Sequence, residues 1–328
     1  MNRWSYPWVG CLLLLGTTVF GAEFESQIEA SFAEEPIVPT ELVYKKTPQG
    51  ELRLFHFQAA GTAERKPVVL MIHGGGFKGG KPTKYFRWCR YLAAKGIESF
   101  SLQYRVQSRH EATPAQCLED AKSAIRWIRK HATTLGIDPD RIAVGGSSAG
   151  GHLAAALSVI DGFNAPDDPV DISCRPNLIL LIDPVIDNGI TGYGHDRVKE
   201  YWNDFSPIHN LREDMPPTIG FIAEHDPLIS LEAFAAFGAS VEQSEQEFRG
   251  YVLPGRGHGS SSEKQGYLTP VFLRMYYEFE RFLHDHGYLN EAPPAATEAS
   301  LFPVKEIASI EYRDCWRVEF SPTEPLSR

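Results

Sequence analysis

Two glycine-rich segments, His73-Gly74-Gly75-Gly76-Phe77 and Gly146-Ser147-Ser148-Ala149-Gly150-Gly151, lie about 75 residues apart, and each closes an apolar run. The first follows Val68-Val69-Leu70-Met71-Ile72 and the second follows Ile142-Ala143-Val144, so both read as buried strands that end in tight turns. A helix-like stretch, His152-Leu153-Ala154-Ala155-Ala156-Leu157, follows the second. In the order strand, serine, helix, Ser148 occupies the apex of a turn whose flanking side chains must be small for its hydroxyl to stand clear. The first segment offers backbone N–H groups that no side chain shields. A carbonyl attacked by Ser148 develops an oxyanion, and donors preset at that point are worth roughly 3–4 kcal/mol each. Taken singly, Gly-x-Ser-x-Gly is often an ordinary turn, and a glycine run is often a tight loop or a phosphate cradle. Their joint occurrence in this order predicts a nucleophile elbow with its oxyanion hole.

The surrounding pattern predicts an α/β architecture. Leu52-Arg53-Leu54-Phe55-His56-Phe57 alternates like an exposed edge strand, and Asn177 to Ile182 is a continuous apolar run like Val68 to Ile72. Further strands are expected over Ile97 to Tyr104, Arg141 to Gly145, Pro217 to Ala223 and Phe248 to Leu253. Leu118, Ala121, Ile125 and Ile128 recur at helical spacing, with Pro114 placed to open that helix and Gly136 to end it. Phe272, Met275, Phe279 and Phe282 mark an amphipathic final helix. Strand and helix alternate, so a mostly parallel central sheet covered by helices on both faces is the economical solution.

A serine hydroxyl is a weak nucleophile until a histidine takes its proton, and a carboxylate must orient that histidine. In this fold type the order along the chain is serine, acid, histidine, with both partners on loops after later strands. Among 11 histidines, His258 lies in Gly255-Arg256-Gly257-His258-Gly259, directly after the last expected strand and before the last helix. His284 and His286 belong to a helix, and His209 and His225 come too early. Asp226 follows the strand Pro217 to Ala223 and is the expected acid; Asp183 ends the preceding strand and is its rival, with Glu224 the weaker competitor. Otherwise Asp183 serves as a cap or a loop acceptor. This chemistry requires no metal and no cofactor.

With 328 residues, 43% of them hydrophobic, the chain is large enough for one sizeable core. A formal net charge of −10 argues against a nucleic-acid partner. The basic residues Lys78, Lys81, Lys84, Arg87 and Arg90 read as a solvated helix face. Arg3, the apolar stretch Val9 to Phe20 and Gly21-Ala22 have the layout of a secretory signal peptide over residues 1–22. The apolar core is shorter than the roughly 20 residues needed to span a bilayer, so an exported protein without stable membrane insertion is expected. Cys89, Cys117, Cys174 and Cys315 remain after cleavage, in one of three pairings or as free thiols, and their wide spacing shows no metal pattern. Residues 40–289 form the expected catalytic domain. Residues 290–328 read as a linker and tail, with one strand-like stretch at Ile307 to Tyr312.

Tyr104-Arg105, Asp120 to Trp127, Asp138-Pro139-Asp140-Arg141-Ile142, Asp226-Pro227-Leu228 and Gly257-His258-Gly259 join the two glycine segments in a set. From about Pro67 to Gly287 the set resembles the alpha/beta-hydrolase superfamily, in the branch with His-Gly-Gly-Gly that includes hormone-sensitive-lipase-like carboxylesterases and acetyl esterases. The resemblance implies an alpha/beta-hydrolase fold with Ser148 as nucleophile, His258 as base and Asp226 as its orienter. It implies an oxyanion hole from the N–H groups of Gly75, Gly76 and Ala149, with Gly74 as a substitute, and a fold-supporting role for Arg105 and Arg141. The branch usually carries a substantial N-terminal helical cap, which the segment before the first central strand is too short to supply. The segment Asn188 to Met215, with Tyr193, Tyr201, Trp202 and Phe205, is therefore the expected small cap insertion, its aromatics packing on the core or lining a pocket. The implied activity is hydrolysis of short-acyl, acetyl-type esters through an acyl-enzyme, with a small molecule or carbohydrate as the alcohol. A peptidase or amidase of the same fold, or a catalytically inactive binding protein, is the alternative.

Overall fold

The computed structural model describes residues 26, 38–61, 65–259, 269–294 and 305–306. The expected signal peptide and the strand-like stretch Ile307 to Tyr312 lie outside these residues. Among the described residues nine strands form one sheet: β1 (Thr40–Thr47), β2 (Gly50–Phe57), β3 (Lys66–Ile72), β4 (Glu98–Leu102), β5 (Ile137–Ser147), β6 (Leu178–Ile182), β7 (Thr218–Ala223), β8 (Phe248–Leu253) and β9 (Lys305–Glu306). Their spatial order is β1-β2-β4-β3-β5-β6-β7-β8-β9. Neighbours from β4 through β8 run parallel, while β1, β2 and β9 pair antiparallel at the two sides.

The apolar runs explain this arrangement. Every residue of β3, β6 and β7 is buried, as strands covered on both faces must be. Alternation at period two divides β3 between two cores: Val68, Leu70 and Ile72 join one, and Val69 and Met71 the other. Helices α2 (Pro114–Lys130), α3 (Ala149–Val159) and α4 (Leu231–Gln243) close the first core, and α1 (Phe86–Ala94) and α5 (Pro270–Asp285) close the second. Among the described residues no helix is long and apolar enough to cross a membrane. Cys89, Cys117 and Cys174 are buried free thiols.

Some boundaries differ from the sequence reading. β2 is an inner strand, because β1 covers the side that its alternation left open. Thr113 caps α2 in a reciprocal box with Gln116, one residue before Pro114, as expected of a proline opening the first turn. The helix nevertheless ends at Lys130, and Gly136 closes a separate turn, Ala132–Leu135, with φ of 66°. Arg105 is buried against Asp120, and Arg141 bonds Asp138 and the Gly287 carbonyl, so both contact the scaffold.

The close approach of α3 to the end of β3 fixes the strand-to-helix turn. A side chain at Gly150 would overlap the Ile72 carbonyl oxygen and sit 2.7 Å from that of His73. Gly150→Ala is therefore expected to destabilise the protein by about 3 kcal/mol or more. Gly162→Ala, where nothing lies within 4 Å, should stay within about 0.5 kcal/mol. Urea unfolding of the two variants checks this, and coincident midpoints would contradict the packing described.

Candidate active site

The site lies along the carboxyl ends of the parallel strands, where loops from several strands converge. Ser148 sits between β5 and α3 with φ of 55° and ψ of −122°. A side-chain-bearing residue in such a region costs on the order of 1–3 kcal/mol and persists only when its surroundings hold it. Its N–H donates to the carbonyls of Ile182 and Asp183 at 3.0 and 3.1 Å, and its own carbonyl accepts from His152 and Val185. These four bonds tie the turn to β6 and α3 and present the hydroxyl to the cleft.

His258 and Asp226 reach the same point from the loops after β8 and β7. The His258 Nε2 lies 3.0 Å from the Ser148 Oγ, and its Nδ1 lies 2.6 Å from the Asp226 Oδ2. The Asp226 side chain is 1% exposed, and its other oxygen accepts the N–H groups of Leu228 and Ile229 at 2.8 and 3.1 Å. With the carboxylate fixed in this way, Nδ1 is the donor and Nε2 is left as the acceptor facing the serine. The hydrogen bond to Asp226 raises the His258 pKa above the ordinary histidine value, burial opposes it, and the charges of Asp226 and Asp183 add to the rise.

The glycine loop after β3 forms the facing wall. His73 is buried, stacked on Tyr104 at 4.4 Å, with its Nδ1 2.8 Å from the Gly74 carbonyl oxygen; the Tyr104 hydroxyl donates to the His73 carbonyl at 2.8 Å. Burial lowers the His73 pKa to about 4, so the ring is neutral and acts as a brace. Gly75 adopts φ of 123°, and a side chain there would overlap the Gly79 carbonyl. Gly74, Gly75, Gly76 and Ser148 line one cleft of about 310 Å³. Ala149 is the first residue of α3, so its N–H has no carbonyl within the helix to bond. The three expected donor residues thus flank the serine.

Asp183, the rival acid, belongs to the same cluster without contacting the histidine ring. Its two oxygens accept the N–H groups of Ala223 at 2.9 Å and Gly259 at 3.1 Å, strapping the end of β7 to the loop that carries His258. Burial raises its pKa to about 6, with the Asp226 charge adding to the rise and the two N–H donors opposing it. Asp183, Asp226 and His258 hold ligand-type atoms within 4.8 Å of one another. Those atoms already serve the hydrogen bonds above, an organisation for moving a proton rather than for coordinating a metal.

One residue of the cleft escaped the sequence reading. Lys84, expected on a solvated face, has an exposed stem, but its ammonium turns inward and donates to the Ser147 Oγ at 2.9 Å. Pro82 starts a short 3-10 turn, Pro82–Tyr85, that carries it over the strand ends; that proline was the available signal. Of the four aromatics in the insertion, only Tyr193 lines the cleft, whereas Phe205 is fully buried and stacks on His152 at 4.3 Å. Tyr201 and Trp202 pack against the core.

Comparison with known proteins gives the family. The BD-FAE family model matches residues 56–188. Esterase LipC of Mycobacterium tuberculosis is 29% identical over 59% of this chain and 53% of its own length. Endo-1,4-beta-xylanase B of Butyrivibrio fibrisolvens is 28% identical over 60% of this chain and 32% of its own. The match thus spans about half or less of these curated relatives. Thermogutta terrifontis esterase 2, in its apo form, superposes with a TM-score of 0.74 at 30% identity, covering 79% of this chain and 99% of that one. The same esterase has been solved with propionate or butyrate bound and phosphonylated by sarin. On this likeness across nearly the whole of a solved esterase, the chain belongs to the alpha/beta-hydrolase carboxylesterases.

Proposed function

We propose that this protein is a serine carboxylic-ester hydrolase that acts through an acyl-enzyme on short-acyl esters. The observation that carries this reading is the unbroken chain from Asp226 through His258 to Ser148, at 2.6 and 3.0 Å, beside the glycine loop. His258 Nε2 takes the Ser148 proton as Oγ attacks the carbonyl carbon, and the N–H groups of Gly75, Gly76 and Ala149 hold the oxyanion. Collapse breaks the ester C–O bond, and the leaving alcohol receives the proton from Nε2. Water, deprotonated by the same nitrogen, then repeats the attack and releases the acid.

A short acyl group suits the small cleft, and propionate and butyrate in the solved esterase support the same range. An acetylated carbohydrate is the alcohol class favoured by the xylanase relative. The layout of residues 1–22 supports export to where such polymers occur. Among p-nitrophenyl esters from acetate to dodecanoate, kcat/KM should be highest for acetate to butyrate. Ser148→Ala should lower it by about four orders of magnitude or more. Activity retained in that variant, or a preference for dodecanoate, would overturn the reading.

The two aspartates are separable. Asp226→Asn is expected to cost about 10⁴-fold in kcat, because the histidine loses the partner that fixes its tautomer. Asp183→Asn leaves one of two N–H groups facing an amide NH₂ and should cost roughly 10- to 100-fold. Because neutral His258 is the active base, kcat/KM should rise with pH along a limb centred above about 6.5. Residual activity of Asp226→Asn should show that limb at lower pH, since the hydrogen bond and charge that raise the value are lost while burial still lowers it. The same raised value means that the His258–Asp226 pair stabilises the fold fully below the unfolded histidine pKa and less as pH rises through the folded one. A larger loss in Asp183→Asn, or a limb that does not move in Asp226→Asn, would exchange the roles of the two aspartates.

A further inference from the structure

The cleft contains a cation for which ester hydrolysis by the triad has no use. The Lys84 ammonium reaches the cleft floor and donates one hydrogen bond, to the Ser147 Oγ at 2.9 Å. It forms no ion pair among the described residues. The nearby carboxylates are committed elsewhere: Asp226 to His258, Leu228 and Ile229, and Asp183 to the N–H groups of Ala223 and Gly259. An ammonium has three donors, so at least one N–H points to what enters the cleft. The Tyr85 ring lies 5.8 Å from the ammonium, measured to its centroid, and Asp183 lines the same cleft without pairing directly with it, so an entering anion meets a cation that no carboxylate bonds.

Resting on the esterase reading above, we infer that Lys84 selects esters that carry a carboxylate a few bonds from the ester group. The spacing fits. The ammonium bonds Ser147, the residue directly before Ser148, and both line the cleft, so it stands within reach of a short chain on a substrate at the Ser148 hydroxyl. Two or three carbons beyond the ester, a carboxylate arrives within charge-assisted hydrogen-bond range. The Tyr193 hydroxyl, which sits against Gly76 on the same cleft, supplies a second polar contact. Two chemical sources meet this description. The carboxylate belongs either to the acyl part, as in a half-ester of a dicarboxylic acid, or to the alcohol, as in an acylated hydroxy acid or sugar acid. Burial draws the Lys84 pKa down, and the Asp183 charge opposes that shift.

The test compares matched esters by pH-stat on the full chain. Monomethyl succinate is set against methyl butyrate for the acyl side, and O-acetylglycolate against propyl acetate for the alcohol side. In the wild type, one charged ester is expected to be preferred over its neutral match. Lys84→Met, which keeps the length and removes the charge, should lower that charged-to-neutral ratio of kcat/KM at least about 10-fold, chiefly through KM, while Lys84→Arg holds it within about threefold. The wild-type ratio should also fall as salt is raised. The pair that responds identifies the side that carries the carboxylate. An equal loss on charged and neutral esters would make Lys84 an electrostatic aid to the oxyanion and overturn the inference, as would an unchanged ratio. Wild-type protein that cleaves none of the four esters would instead remove the hydrolase reading on which the inference rests.

Discussion

The site depends on one steric constraint: the amino end of α3 must press against the carboxyl end of β3 closely enough that no side chain fits at Gly150. That contact forces the chain through a sharp turn at Ser148, whose unusual φ is held by hydrogen bonds to the ends of β6 and α3. Ala149, the next residue, begins α3. The position of Ser148 and the start of α3 are therefore consequences of a single packing event. The cost of the strained turn is offset by a scaffold buried on both faces of the sheet, in which β3, β6 and β7 have no exposed residue.

Electrostatics divides the work among groups crowded into a small volume. Asp226 is shielded, satisfied by two backbone donors and aimed at the histidine; Asp183 spends both oxygens on the backbone and so joins the two loops that carry the triad partners. Burial raises the Asp183 pKa, and the nearby Asp226 charge adds to the rise. Lys84 adds positive charge from the opposite wall and works against protonation of His258.

Much of this was legible in the sequence, because the features that build the scaffold are local. Buried strands announce themselves as continuous apolar runs, α2 by its proline and the helical spacing of its apolar residues, and the elbow by glycines where side chains do not fit. His258 and Asp226 were found from chain order, and the structure joins them to Ser148 in one hydrogen-bonded row. What escaped depends on three-dimensional neighbours. β2 alternates like an edge strand, yet β1 pairs beside it. Choosing between Asp226 and Asp183 required knowing which carboxylate meets the imidazole and which meets the backbone. Lys84 has the composition of a surface residue, and only the turn after Pro82 directs its ammonium inward.

The central claim is that the turn, the histidine and its aspartate make Ser148, and not the adjacent Ser147, the reactive nucleophile. Reaction of the full chain with a fluorophosphonate, followed by peptide mapping by mass spectrometry, tests it directly. The account predicts one phosphonyl group, on Ser148, formed rapidly in the wild type and at least about 100-fold more slowly in His258→Ala. Labelling of Ser147, or a folded protein that takes up no label, would contradict it.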